Sequence, residues 1–187
     1  MVDNISYCCC LSIMLSLLSE KRIRVLHIVE GTSVDGPGLR TSIYMAGCDH
    51  RCPGCHNPAS WDPQGGEDRT LDELMRVIAY NEAPVTLSGG DPLQQPEGTR
   101  DLIHRIKSEL GYNVWCFTGY RWEEIVADPE LMTVVQELDV LVDGPFVLAE
   151  RDISLHFRGS RNQRLIDVQA TLSSDDPVTP VLWSHAS

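Results

Sequence analysis

The sequence has little positive charge, no cluster of basic residues and no internal repeats. Its 187 residues include 15 Lys and Arg against 27 Asp and Glu, which gives a net charge of −12 at pH 7. Proteins that bind nucleic-acid phosphates need a basic surface, so this composition argues against a nucleic-acid-binding protein. An acidic enzyme that handles small molecules or a basic partner fits better.

The sequence also lacks a hydrophobic run long enough to span a membrane. The apolar stretch at residues 7–18 covers about 12 residues, too few for a bilayer core of roughly 30 Å. It resembles a signal-peptide core, but the residues before it are acidic and no clean small-residue cleavage site follows. We interpret residues 1–21 as an apolar leader of uncertain status, either an appendage or an over-extended reading frame, and expect no membrane association.

The seven cysteines do not form the even framework of a disulfide scaffold. Three are adjacent (Cys8, Cys9 and Cys10), one is isolated (Cys116), and three lie close together in the segment AGCDHRCPGCHNP (Cys48, Cys52 and Cys55). An odd total without long regular spacings favours a reducing, cytoplasmic location. We expect the adjacent trio to be inert thiols and Cys116 to be a core thiol.

Hydrophobic patterning from residue 22 onward predicts an α/β domain. Strands are predicted at residues 23–30, 40–47, 84–90, 113–119 and 139–144, and amphipathic helices begin near Thr70, before Leu102 and at Asp128. This alternation indicates crossover connections and a mostly parallel sheet, in which loops at the carboxyl ends of the strands build the active site. We assign residues 22–168 to this domain and residues 169–187 to a flexible tail.

The spacing of the three clustered cysteines indicates a metal or iron–sulfur site. Thiolates suit zinc or iron–sulfur clusters. His50 or His56 could complete a Cys3His zinc site, but only as a very tight chelate within the same loop. A [4Fe-4S] cluster has four iron corners, so three cysteines would leave one iron open. The spacing favours the cluster over zinc and over unligated loop cysteines.

The ordered motifs resemble those of radical S-adenosylmethionine (SAM) enzymes. The C-x3-C-x2-C loop after a strand and the later SGGDP segment, Ser88–Pro92, are similar to that superfamily's cluster and SAM-binding motifs. VDGPGLR at residues 34–40 resembles the opening of glycyl-radical activating enzymes. WCFTGY, LVDGPF and RGSRNQR are similar to segments of the activase group of anaerobic, class III ribonucleoside-triphosphate reductase. The resemblance covers residues 23–168.

The resemblance implies a set of cofactor-binding residues. Cys48, Cys52 and Cys55 would ligate the cluster, and SAM would bind at the open iron. Gly89 and Gly90 would let backbone groups approach the ligand, and Asp91 would supply a carboxylate near the SAM amine or sulfonium. Many relatives carry an aromatic residue just before the last cysteine, whereas this chain has Gly54 there and His56 after the cysteine. His56 could lie against adenine, or it could be a histidine at the surface or behind the site.

The resemblance also implies a fold and a reaction. The fold would be an incomplete radical SAM β/α barrel, open on one side to a protein substrate. Reductive cleavage of SAM would give a radical that removes a Cα hydrogen from a glycine of a partner, with anaerobic ribonucleoside-triphosphate reductase favoured. The electron donor would be a protein such as flavodoxin.

Two alternative functions remain open from the sequence. The chain could activate another glycyl-radical enzyme, such as pyruvate formate-lyase, or it could be a non-catalytic zinc or iron–sulfur module.

Several further residues also carry two interpretations. Asp143 could bind a cation or SAM or simply end a strand, and Asp35 and Arg40 could order the site or form a turn. Arg158 lies in RGSRNQR, a segment to which the residues alone assign no role.

Overall fold

A computed structural model describes residues 21–181. The leader, including Cys8–Cys10, lies outside the described residues. The strands are β1 (Arg22–Thr32), β2 (Arg40–Met45), β3 (Glu67–Thr70), β4 (Val85–Gly89), β5 (Val114–Phe117), β6 (Val140–Asp143) and β7 (Arg164–Asp167). The helices are α1 (Leu71–Asn81), α2 (Pro96–Arg105), α3 (Trp122–Ala127), α4 (Pro129–Val135) and α5 (Val168–Leu172). No helix in residues 21–181 is long and apolar enough to cross a bilayer.

The strands form one seven-stranded sheet in the order β3-β1-β2-β4-β5-β6-β7. The four adjacent strands β2, β4, β5 and β6 are parallel, whereas β1 and β7 run antiparallel to their neighbours β2 and β6. Helices connect successive parallel strands, so the predicted α/β class and mostly parallel sheet are confirmed. The carboxyl ends of β2, β4, β5 and β6 therefore lie side by side along one edge of the sheet, the edge that runs across the strand ends.

The predicted helix starts are present with their capping interactions. Thr70 Oγ1 accepts a hydrogen bond from Glu73 N at 3.1 Å, and the Glu73 carboxylate accepts one from Thr70 N at 2.9 Å. At α4, the Asp128 side chain accepts from Glu130 N at 2.9 Å, and Pro129 occupies the first turn. Both helices then bury an apolar face, which in α1 consists of Leu71, Leu74, Met75 and Ile78.

Both edge strands were absent from the sequence prediction. In β3 (EDRT) only Thr70 is buried, so the strand has no apolar alternation to detect. The sequence predicts a flexible tail from residue 169, but α5 crosses that boundary and the chain then returns to β7. There Asp167 N donates to Thr179 O at 2.9 Å, and Val181 N donates to Leu165 O at 3.0 Å.

Arg40 fixes the loop ahead of β2 from inside the sheet. The side chain is 1% exposed; its Nε donates to Thr86 Oγ1 at 2.7 Å and a terminal nitrogen donates to Val85 O at 2.6 Å. Burial lowers the pKa of Arg40 to about 10. Thr86 Oγ1 in turn donates to the Asp35 carbonyl at 2.9 Å. The structure thus supports an ordering role for Arg40.

Candidate cofactor site

The cysteine loop, residues 46–58, follows β2 at the sheet edge where the parallel strands end. Cys48, Cys52 and Cys55 are free and partly exposed. Several backbone hydrogen bonds shape the loop; among them, Gly47 N donates to Ser60 O at 2.8 Å, and Cys55 N donates to Cys52 O at 3.0 Å. In residues 21–181 no three Cys, His, Asp or Glu side chains are gathered as a metal-binding group. The three thiols therefore share a loop without being pre-assembled as a ligand set.

Backbone amides lie beside two of these thiols. Burial raises the pKa of Cys48, and the backbone N–H groups of His50 and Arg51 oppose that rise. Asn57 N donates to Cys55 Sγ at 3.4 Å. Iron–sulfur clusters are held by cysteine sulfur, so the donor chemistry of the loop fits an iron–sulfur cluster.

Gly89 and Gly90 allow the SGGDP segment to pack closely against the backbone that leads into the cysteine loop. A Cβ at Gly89 would lie 2.5 Å from Met45 N, and one at Gly90 would lie 2.3 Å from Gly47 O. Gly90 N also donates to Met45 O at 2.7 Å. The close approach that these glycines permit is thus to the chain itself. Gly89 also lines the cleft described below.

Asp91 faces protein donors. Its carboxylate is 1% exposed and accepts hydrogen bonds from Leu93 N at 2.9 Å, Thr118 Oγ1 at 2.9 and 3.0 Å, and Gly119 N at 2.9 Å. His50 Nε2 lies 2.8 Å from Asp91 Oδ2. The sequence indicated no link between His50 and Asp91, although both flank strand ends that a parallel sheet brings together.

A cleft of about 580 Å³ opens beside Cys55 at the same edge. Its walls combine polar groups with aromatic rings: His27, Asp35, Tyr44, His56, Ser88, Phe117, Phe146 and Phe157. His27 and Tyr44 are stacked with ring centroids 4.5 Å apart. The Tyr44 hydroxyl donates to Asp35; burial, helped by this bond, raises the pKa of Tyr44 and keeps it protonated. The cleft has the size and mixed lining of a small-molecule site.

Arg158 also lines the cleft, and part of its guanidinium is unpartnered. Its Nε is buried and has no hydrogen-bond partner among the described residues. A terminal nitrogen makes one long hydrogen bond, 3.4 Å, to Gln163 O. Buried polar groups normally find partners, so the Arg158 guanidinium is incompletely hydrogen-bonded within residues 21–181, and it lies in the cleft wall where an anionic ligand can meet it.

Gly54 and His56 flank Cys55 on the loop. Gly54 has φ of 76°, and a Cβ there would lie 2.9 Å from Leu148 Cδ1. The His56 ring lines the cleft with its centroid 4.7 Å from that of Phe146. Its predicted contact with adenine stays a prediction, and the position of its ring in the cleft wall is compatible with it.

Asp143 has a structural explanation. Its buried carboxylate accepts from Trp122 N at 2.8 Å and from Arg164 Nε at 3.1 and 3.2 Å. Arg164 also pairs with Glu123 and lowers the pKa of that carboxyl to about 2. These contacts join β6, β7 and α3, which favours the strand-end interpretation of Asp143.

Comparison with known proteins places this chain in a family. Residues 34–166, which contain the cysteine loop and all of the cleft lining except His27, match the family described as a 4Fe-4S single cluster domain. Proteins named anaerobic ribonucleoside-triphosphate reductase-activating protein align over 70% of this chain, with 40% identity and 89% coverage of the relative for both Salmonella typhi and Escherichia coli K12. The chain belongs to this family of activating proteins. A homologue with the same name from Enterobacteria phage T4 is 31% identical over 71% of this chain and 86% of its own length.

The family match decides between the metal alternatives that the spacing left open. A 4Fe-4S domain supports an iron–sulfur cluster over zinc, and the thiol-rich loop supplies ligands of the required kind. The relatives are named as proteins that activate anaerobic ribonucleoside-triphosphate reductase.

Proposed function

We propose that this protein is a radical SAM activase that generates a glycyl radical on anaerobic ribonucleoside-triphosphate reductase. The observation that carries the proposal is the position of the cysteine loop. Three free thiols lie at the carboxyl ends of parallel strands, and one of them, Cys55, borders a cleft large enough for SAM. The open sheet would correspond to the incomplete barrel implied by the motifs, and the protein would act in the reducing cytoplasm.

The cofactors supply the chemistry, and the chain holds them. When bound, a [4Fe-4S] cluster and SAM supply one-electron cleavage of a sulfonium C–S bond, giving methionine and a 5′-deoxyadenosyl radical that can take a glycine Cα hydrogen. In this proposal Cys48, Cys52 and Cys55 hold the cluster. The aromatic cleft wall holds the adenosyl group and limits access of water. Val34, which lines the cleft, is 70% exposed, so this part of the cleft wall faces solvent. In this proposal a glycine loop of the partner protein enters the cleft there.

Arg158 is the residue best placed to bind the SAM carboxylate. Changing Arg158 to Gln is expected to weaken SAM binding by about tenfold, because a charge-assisted hydrogen bond is lost. Anaerobic calorimetry with SAM and with decarboxylated SAM provides the measurement. The analogue should bind equally to both proteins, since it lacks the group that Arg158 recognises.

The matched control for this prediction is Arg161→Gln in the same segment. Arg161 is exposed and pairs with Asp152, so its replacement should leave SAM affinity unchanged. If Arg158→Gln weakened the binding of SAM and of the decarboxylated analogue equally, the carboxylate assignment would be incorrect.

Electron paramagnetic resonance on candidate partners tests the proposed activity. The protein, reconstituted anaerobically to about four irons and four sulfides per chain, is mixed with SAM, a reductant such as reduced flavodoxin, and either ribonucleotide reductase or pyruvate formate-lyase. We expect 5′-deoxyadenosine and a glycyl radical doublet on the reductase alone. A doublet only on the lyase would reassign the partner, and intact SAM in every mixture would refute the activase.

A further inference from the structure

The carboxylate of Asp91 has no free position for a ligand. An ionised carboxylate offers about four lone-pair sites. Leu93 N, Thr118 Oγ1, Gly119 N and His50 Nε2 all lie within 3.0 Å of the Asp91 oxygens. Asp91 is also absent from the walls of the cleft beside Cys55. Its side chain therefore points into the protein, where it joins the end of β4 to the residues after β5.

His50 connects this carboxylate to the cysteine loop. The residue lies between Cys48 and Cys52, and its side chain is 20% exposed. The ring packs on Gly119, where a Cβ would lie 2.3 Å from His50 Cδ2, and it meets the Tyr120 ring edge-on with centroids 4.7 Å apart. One side chain thus anchors the middle of the segment that separates two thiols.

The backbone next to His50 adopts a conformation that needs support. Arg51 has φ of 45°, the left-handed region that residues with a Cβ rarely occupy. Such residues persist where surrounding contacts hold them in place. The contacts of His50 with Asp91, Gly119 and Tyr120 provide that support at the residue directly before Arg51.

We propose that Asp91 is a positioning residue that acts through His50 to fix the backbone between Cys48 and Cys52, and that it does not contact SAM. The inference rests on the proposed cluster ligation by these cysteines. It gives the Asp of SGGDP a role in the geometry of the cysteine loop, and the proposed SAM site is the cleft beside Cys55, which Asp91 does not line. Residues that orient metal ligands typically change metal retention when they are altered.

The test compares His50→Leu, Asp91→Asn and the double variant in the cluster-loaded protein. Each single change is expected to speed the loss of iron to a chelator by about tenfold. The double variant should lose iron at about the rate of the faster single variant, because each change removes the same interaction, the contact between His50 and Asp91. SAM affinity of the loaded protein should change by less than about threefold, since neither side chain lines the cleft. His50→Gln, which restores an N–H near Nε2, should recover most of the iron retention.

A second readout uses the protein before cluster loading. His50→Leu should raise the rate at which a disulfide reagent modifies Cys48 and Cys52 by about tenfold, because an unanchored loop exposes its thiols more often. Buried Cys116 serves as the internal reference, and His104→Leu, which removes an exposed His–Glu pair, is the matched control. This readout holds even if the loop never binds a cluster, so it separates failure of the inference from failure of the proposed function.

Two outcomes would overturn the inference. Additive effects of His50→Leu and Asp91→Asn on iron loss would show that the two residues act independently. A tenfold or greater loss of SAM affinity in Asp91→Asn, with His50→Leu unaffected, would show that Asp91 contacts SAM itself.

Discussion

Replacing Cys52 with Ala is expected to abolish cluster binding and SAM cleavage together. The loop offers three thiols, and the two that remain cannot hold a [4Fe-4S] cluster that leaves one iron open. Iron and sulfide analysis after anaerobic reconstitution should fall from about four of each per chain to near zero. Chromatographic assay should detect no 5′-deoxyadenosine.

The matched control is Cys116→Ala. That thiol is fully buried within β5, and burial raises its pKa well above the usual range, so it is an inert core group. Iron content should be unchanged, with only a modest loss of stability. Retained SAM cleavage in Cys52→Ala would remove Cys52 from the ligand set, and loss of iron in Cys116→Ala would show that a fourth thiol participates.

Gly90→Ala is expected to disrupt the site without altering any proposed ligand. The added Cβ would lie 2.3 Å from Gly47 O and 2.9 Å from Gly47 C, so the backbone that leads into Cys48 must move. We expect the free energy of unfolding to fall by about 2–3 kcal/mol. Iron retention should fall at least about tenfold, as when the support of a ligand is lost. Chemical denaturation and chelator-driven iron release provide the two measurements.

Gly38→Ala is the matched control, because it adds a Cβ to a glycine with positive φ without a steric clash. Gly38 has φ of 71°, and a Cβ there would have no heavy atom within 4 Å. Its replacement should cost about 1 kcal/mol of stability through the left-handed conformation alone, with iron retention intact. If Gly90→Ala behaved like Gly38→Ala, the contact between SGGDP and the cysteine loop would not be needed for the site.

Much of the architecture could be predicted because hydrophobic periodicity reports burial directly. The four parallel strands and the cap at Thr70 follow from alternation and from capping chemistry, which act over a few neighbouring residues. The cysteine loop could be identified from the spacing of its thiols. By contrast, β3 carries almost no buried surface, and the return of residues 179–181 to β7 depends on backbone hydrogen bonds that no side-chain pattern records.

The partners of Asp91 and His50 could not be predicted for a different reason. These residues are 41 positions apart, and their contact depends on how far each loop extends beyond its strand. The sequence places both at the same edge of the sheet but not within 2.8 Å of each other. The same limit applies to Arg158, whose unpartnered Nε becomes visible only once the residues around it are in place.

The two outermost strands of the sheet, β3 and β7, limit how another chain can add a strand to it. On one side, β3 is four residues long and carries Glu67, Asp68 and Arg69, all exposed. On the other, β7 already pairs with the backbone around Pro180. Short, charged or covered edges resist the addition of foreign strands. The two outermost strands, β3 and β7, are therefore poor templates for the addition of another strand.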